Sequence, residues 1–341
     1  MIDLLKIRTI VEEVIFILFE ISKKNFKVIE NRAYSKTYSN STGIKITFLN
    51  TRLGTIADII FSPHKQANNN KHNANVFSLL DAQKSVISIM RYLGIERNLY
   101  RDFTIMQIEI GINYVCPTTL SPQMVLDSFL MLVNSFFQKH PKHHHYRFAE
   151  GTNRKRSNST KQDDSKEKAS IKLKHYWKAS QFIDSENKTL SELGYCKSEV
   201  IRTEVRAQRT GKIKELGFVT LNDLFRENSF DCMKNFLMKQ LDKVFVFNPA
   251  EIDKTKIKKQ SQWKLFYQCT THNYWRNING RMLAEAKRKW NLLPKKYNTK
   301  EIVLKAIFDA IDSQNTKINT LCLSTLNDED LNDGNLNKES T

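Results

Sequence analysis

Thr104–Val115 reads TIMQIEIGINYV, and its alternation decides the fold. Successive side chains along a strand point to opposite sides, so Ile108, Ile110 and Ile112 line one face. Gln107, Glu109, Gly111 and Asn113 line the other. Two later stretches repeat the pattern: SIKLKHYWKASQF from Ser170 and EVIRTEVRAQ from Glu199. In the first, Lys174, Tyr176 and Lys178 share a face opposite Leu173, His175 and Trp177. In the second, Arg202, Glu204 and Arg206 share a face opposite Ile201, Thr203 and Val205. Strands of this kind, side by side with helices against the apolar face, leave a polar floor of two carboxylates, several cations and one tyrosine.

Outward from these strands, Ile44–Phe61 is rich in Ile, Thr and Phe with partial alternation and predicts further strands, followed by a polar loop at Gln66–Asn75. Val76–Leu93 has apolar residues at helical spacing and ends at Gly94, a residue suited to a helix C-cap. Ser121-Pro122 opens a second helical run. The fold class expected is α+β: an antiparallel-rich sheet with helices packed on one face, plus a helical C-terminal region. The chain divides into an N-terminal half of that unit (1–140), a basic, His-rich disordered insertion (141–170), and a C-terminal half with the Tyr and Glu strands (171–249). A helical region rich in basic and aromatic residues (250–320) and an acidic disordered tail (321–341) complete it. No internal repeat and no glycine-rich phosphate loop is visible.

The chain has 341 residues, with 54 Lys plus Arg against 36 Asp plus Glu, a formal charge of +18. Such an excess attracts polyanions, and nucleic acid is the leading partner class. Basic residues spread over the whole chain argue against a membrane-surface helix, which concentrates them. The five cysteines are scattered without C-x-x-C spacing and read as reduced thiols. Val14–Phe19 is too short and too flanked by Glu12, Glu13 and Glu20 for a signal segment or membrane span. A soluble, cytoplasmic protein is expected, with no small-molecule substrate.

The polar floor suits phosphodiester cleavage by a tyrosine. A phenol with an ordinary pKa near ~10 needs cations or a metal nearby to become a nucleophile at neutral pH. Lys174, Lys178 or Arg202 could supply that charge and neutralise charge building on a phosphate. Glu109 and Glu204 offer hard oxygen ligands for Mg²⁺ or Mn²⁺. The bland alternative is that the same residues form ordinary cross-strand ion pairs on a solvated face.

The segments IEIGIN (108–113), IKLKHYWKASQF (171–182), VIRTEVR (200–206) and KIKELGFVTLNDL (212–224) resemble, in that order, the landmarks of a family of replication initiation proteins from phages and plasmids of Bacteroidetes-type bacteria. HNAN (72–75) and NYWRNI (273–278) are also similar. A more distant similarity leads to rolling-circle initiators of the filamentous-phage gene II and staphylococcal-plasmid types, which nick one strand through a tyrosine with a divalent metal. The resemblance implies a DNA-binding initiator that nicks and religates an origin strand, with Tyr176 as nucleophile, Lys178 as its companion lysine, and Glu109 and Glu204 as acidic strand residues. Trp177 stands where the family has aspartate, on the strand face opposite the tyrosine. The alternative function is a non-catalytic protein that recognises an origin or regulates replication.

Two other features bear on function. His143 and His145 flank His144 with metal-motif spacing, although a histidine-rich loop is more often compositional. The C-terminal mixture of Trp263, Tyr267, Tyr274, Trp275, Arg276, Arg281, Lys287, Arg288, Lys289 and Trp290 offers stacking and phosphate contacts to DNA. Among these, Arg276, Arg281, Lys287 and Arg288 are expected to contact nucleic acid, together with Lys174, Arg202 and Arg206 of the floor.

Overall fold

The computed structural model describes residues 1–69, 73, 75–128, 146–150, 170–178, 199–270, 274 and 280–315. The alternating segments form one antiparallel sheet, nine-stranded among the described residues, in the order β2-β3-β4-β5-β1-β6-β9-β8-β7. The strands are β1 (Ile2–Thr9), β2 (Lys27–Arg32), β3 (Ser35–Ser39), β4 (Lys45–Thr51), β5 (Gly54–Phe61), β6 (Thr104–Val115), β7 (Tyr146–Glu150), β8 (Ile171–Trp177) and β9 (Val200–Ala207). The expected α+β class, with helices on one face and a helical C-terminal part, is what the structure has.

The helices are α1 (Glu12–Asn25), α2 (Pro63–Ala67), α3 (Leu79–Tyr92), α4 (Pro122–Ser128), α5 (Thr210–Glu215), α6 (Ser229–Asp242), α7 (Gln260–Cys269), α8 (Gly280–Asn291) and α9 (Thr299–Asn315). Their limits follow local chemistry. Ser78 and Asp81 form a capping box that starts α3, and Gly94 just beyond its end takes φ +70°, a left-handed conformation that costs glycine little. Ser62 caps α2, and Pro63 takes the first turn, where its missing N–H is no loss.

The apolar face carries the main core. Leu5, Ile7, Ile59, Ile108, Ile110, Ile112, Leu173 and Val205 are buried there with Leu18 of α1, Met90 of α3 and Val303 and Ile307 of α9. A smaller second core gathers Phe247, Ile252, Phe266, Trp290 and Leu293 between α7 and α8. Because α9 packs on β6, the helical region read as 250–320 is shared between the two cores. Within the stretch expected to be disordered (141–170), Tyr146–Glu150 instead pairs antiparallel with β8, and Ser170 accepts a hydrogen bond from the Gln208 N–H. The histidine tract and the acidic tail lie outside the described residues.

Residues 1–43 show no clear strand or helix period in sequence. They supply β1, the strand between β5 and β6, and β1 bears directly on the site. A register shift separates the pairs Ile2↔Ile110 and Leu4↔Glu109, so Asp3 is the extra residue of a β-bulge. The bulge turns Asp3 toward the polar face.

Candidate functional site

The register brings the predicted residues together. β6 pairs with β9 through Glu109↔Arg206, Gly111↔Glu204 and Asn113↔Arg202. β9 pairs with β8 through Glu204↔Lys174 and Arg202↔Tyr176. Glu109, Lys174, Tyr176, Arg202, Glu204 and Arg206 therefore share one face, with Lys178 just past the end of β8. All but Lys174 and Arg206 are buried.

The contacts are dense. Lys174 Nζ donates to Glu204 Oε2 at 2.7 Å and to Glu109 Oε2 at 3.1 Å. Arg202 Nε donates to Glu204 Oε1 at 2.9 Å and to Asp3 Oδ2 at 3.1 Å, and its Nη2 also pairs with Asp3. Arg206 pairs with Glu109. The Tyr176 hydroxyl donates to Glu204 Oε1 at 2.7 Å. Gly111 sits beneath this crossing. A Cβ there would collide with Asp3 Oδ2 and Arg202 Nη2, so only glycine lets Arg202 reach across β6 to β1.

α2 and the stretch after it close one side. His64 Nδ1 lies 3.1 Å from Asp3 Oδ1, and its Nε2 lies 2.8 Å from Asn75 Oδ1. Its ring stacks on Phe77 with centroids 4.2 Å apart. Lys178 Nζ donates to Asn73 Oδ1 at 2.6 Å and lies 5.4 Å from the centre of the Tyr176 ring. Both asparagines belong to HNAN, so that motif is wired into the site; its His72 and Ala74 lie outside the described residues.

Burial and charge compete here, and the outcome differs by residue. Burial works to raise the Asp3 and Glu204 carboxyls, but the ion pairs outweigh it: Arg202 for Asp3, Lys174 and then Arg202 for Glu204. Both carboxyls stay below the ordinary carboxylate range. Burial lowers His64 to about 4, so it is neutral at pH 7. Burial, reinforced by the charge of Arg202, lowers Lys178 to about 7.

Tyr176 overturns a sequence expectation. The neighbouring cations were expected to ease its ionisation. Burial and then the Glu204 charge instead push the phenol well above its ordinary pKa, and the residue is 3% exposed. Lys174 and Arg202 are spent on carboxylates, and Lys178 donates to Asn73. Arg202 is likewise corrected: at 1% exposure and committed to Asp3, Glu204 and Asn113, it holds the floor together and is not presented to a nucleic acid.

The remaining expected contacts are mixed. Arg288 is exposed on α8, and Lys287 is partly buried with its Nζ 5.1 Å from the Phe245 ring centre. Arg276 and the Arg281 side chain lie outside the described residues. Sequence reading missed Asp3 and His64. An aspartate inside the apolar run Ile2–Ile7 was the available signal for the first, and the Ser-Pro helix start before His64 was a weaker one for the second.

Asp3, Glu109 and Glu204 each offer a carboxylate oxygen within 4.8 Å of the others. Three hard oxygen donors fit Mg²⁺ or Mn²⁺. Lys174 now lies between Glu109 and Glu204, so an ion drawing on all three would compete with its ammonium.

No family model and no curated protein sequence matches the chain. A solved structure of the rolling circle replication initiator protein from Geobacillus stearothermophilus aligns with 87% of this chain and 98% of its own, at a TM-score of 0.36 and 11% identity. A likeness at that level establishes no shared fold. Among the described residues, no helix is long and apolar enough to cross a membrane.

Proposed function

We propose that the chain is a DNA-binding replication initiator of a phage or plasmid that nicks one origin strand through Tyr176 and rejoins it. The observation that carries this reading is the Tyr176 hydroxyl bonded to Glu204, on the same sheet face as three carboxylates close enough to share one divalent ion. The charge of +18 and the ordered motif resemblance support DNA as the substrate.

In the reaction so read, Tyr176 Oη bonds to the scissile phosphorus as the bond from phosphorus to the 3′ oxygen breaks. A 5′-phosphotyrosine remains, and the phenolic proton is relayed through Glu204, its hydrogen-bond acceptor, to the departing 3′ oxygen, which leaves as a hydroxyl while Glu204 stays ionised. The released 3′ hydroxyl later attacks the phosphotyrosine and restores the strand. Asp3, Glu109 and Glu204 would hold Mg²⁺ or Mn²⁺, which when bound polarises the phosphate. Lys178, held by Asn73 beside the Tyr176 ring and lowered to about 7, so that about half of it is protonated at pH 7, is placed to meet phosphate charge. Arg202 keeps Asp3 and Glu204 aligned. A phosphate reaches Tyr176 only after the residues that bury it move.

The same burial favours the alternative of a non-catalytic origin-binding protein. Supercoiled origin-bearing DNA with Mg²⁺ or Mn²⁺ separates the two. Wild type should yield open circles and Tyr176→Phe should not, although it binds the same DNA. Binding without nicks in both proteins would establish the alternative.

A further inference from the structure

Away from the floor, the second core carries a cleft of about 620 Å³ whose walls include Ile252, Lys254, Thr255, Phe266, Tyr267 and Lys296. Among the described residues, none that lines it is acidic. Tyr267 is 64% exposed, unusual for so large a ring, and stands on α7 with its ring stacked on Trp263 at 5.7 Å and 25°. Phe266, beside it, is buried and meets Tyr267 edge-on at 5.6 Å. The two aromatics behind Tyr267 fix its ring as a platform, while its outer face is open.

Cations border that platform. Lys254 Nζ lies 5.1 Å from the Phe266 ring centre, and Lys254 and Lys296 are exposed. Lys254 also begins the run KTKIKK (254–259), in which Ile257 alone is buried and the four lysines are exposed. The acidic neighbours Glu251 and Asp253 are already paired, with Lys295 and Lys256. An exposed aromatic face beside positive charge that is paired with no carboxylate among the described residues matches a base with its phosphate. A duplex keeps its base faces stacked internally, so the matching partner is a single strand.

We infer that this cleft binds single-stranded nucleic acid, with Tyr267 stacking on a base and Lys254 and Lys296 meeting the flanking phosphates. The inference rests on the nucleic-acid reading above and adds to it a second, non-cleaving site suited to a strand displaced at an origin.

The test uses the full chain and an oligothymidylate of about sixteen nucleotides, long enough to span a single-strand site, carrying 5-iododeoxyuridine for photocrosslinking. Tyr267→Ala should bind about tenfold more weakly with an unchanged salt slope, and Tyr267→Phe should bind as wild type does. Lys254→Ala with Lys296→Ala should reduce the slope of log affinity against log salt by about 1.4, or ~0.7 per lost phosphate contact. The crosslink should fall on Tyr267. Undiminished binding by Tyr267→Ala, with crosslinks elsewhere, would overturn the cleft and leave Tyr176-dependent nicking untouched. Weakening by the lysine changes alone would overturn the stacking and leave only phosphate contact at the cleft. No binding by wild type would overturn this inference together with the nucleic-acid reading.

Discussion

Lys174 is the residue on which the balance of the floor turns. Its ammonium bonds to both Glu109 and Glu204, and those charges raise its pKa against the opposing effect of burial. Replacing it with methionine leaves two buried carboxylates short of one partner, a change that costs about 3–5 kcal/mol where a buried pair is broken. Metal-free Lys174→Met should therefore melt well below wild type, and Mn²⁺ should recover much of the loss because the ion takes the vacated position. Equal Mn²⁺ stabilisation of both proteins, read by thermal unfolding, would show that the carboxylates do not bind the ion there. The participants Glu109, Lys174, Tyr176 and Glu204 were legible in sequence because period-two alternation fixes which side chains share a face. Their charge states were not. Whether Lys174 activates Tyr176 or neutralises glutamates depends on distances between strands, which no single strand encodes.

At the scale of elements, a bulge and a glycine make the site possible. The β1 bulge aims Asp3 at the polar face, and Gly111 of β6 leaves the space through which Arg202 reaches it. Gly111→Ala should destabilise the fold by about 1–3 kcal/mol, the usual cost of overpacking, and should lower nicking beyond what stability explains by displacing Asp3. A variant with wild-type melting and activity would show that the crossing is dispensable. The same elements mark where sequence reading stopped. IEIGIN announced a strand and placed Gly111 on the polar face, yet the reason for a glycine there lies on β1 and β9. Asp3 drew no expectation from sequence, since a bulge is a pairing event and leaves no period to detect. HNAN offered a resemblance only, and its physical content, Asn73 on Lys178 and Asn75 on His64, appears once the loop is folded against the sheet.

At the scale of the whole molecule, charge governs both binding and stability. If about six phosphates are neutralised, affinity for DNA should fall on the order of a thousandfold between ~50 and ~200 mM salt; an affinity indifferent to salt would remove nucleic acid as the partner. Acid should weaken the fold. His64, lowered from 6.5 to about 4, binds its proton more readily in the unfolded chain, so stability declines as pH falls from 6.5 toward 4. Asp3 and Glu204, held below their ordinary values, add stability above those values that is lost as pH falls through their folded-state pKa values. Melting temperature followed from pH 7 to pH 4 should fall throughout, and His64→Gln should remove part of the decline; a flat profile would mean that the floor is more open to water than its burial indicates. The central claim concerns Tyr176 itself. Wild-type protein can be incubated with origin DNA and Mn²⁺, trimmed with nuclease, cut with trypsin and weighed by mass spectrometry. Cleavage after Lys174 and Lys178 releases His175–Lys178, a peptide with a single tyrosine. A nucleotide mass on that peptide is the result expected, and it should be missing from Tyr176→Phe. Nicked DNA with the nucleotide on another peptide, such as His143–Arg147 with Tyr146, would contradict the assignment of Tyr176 as the nucleophile.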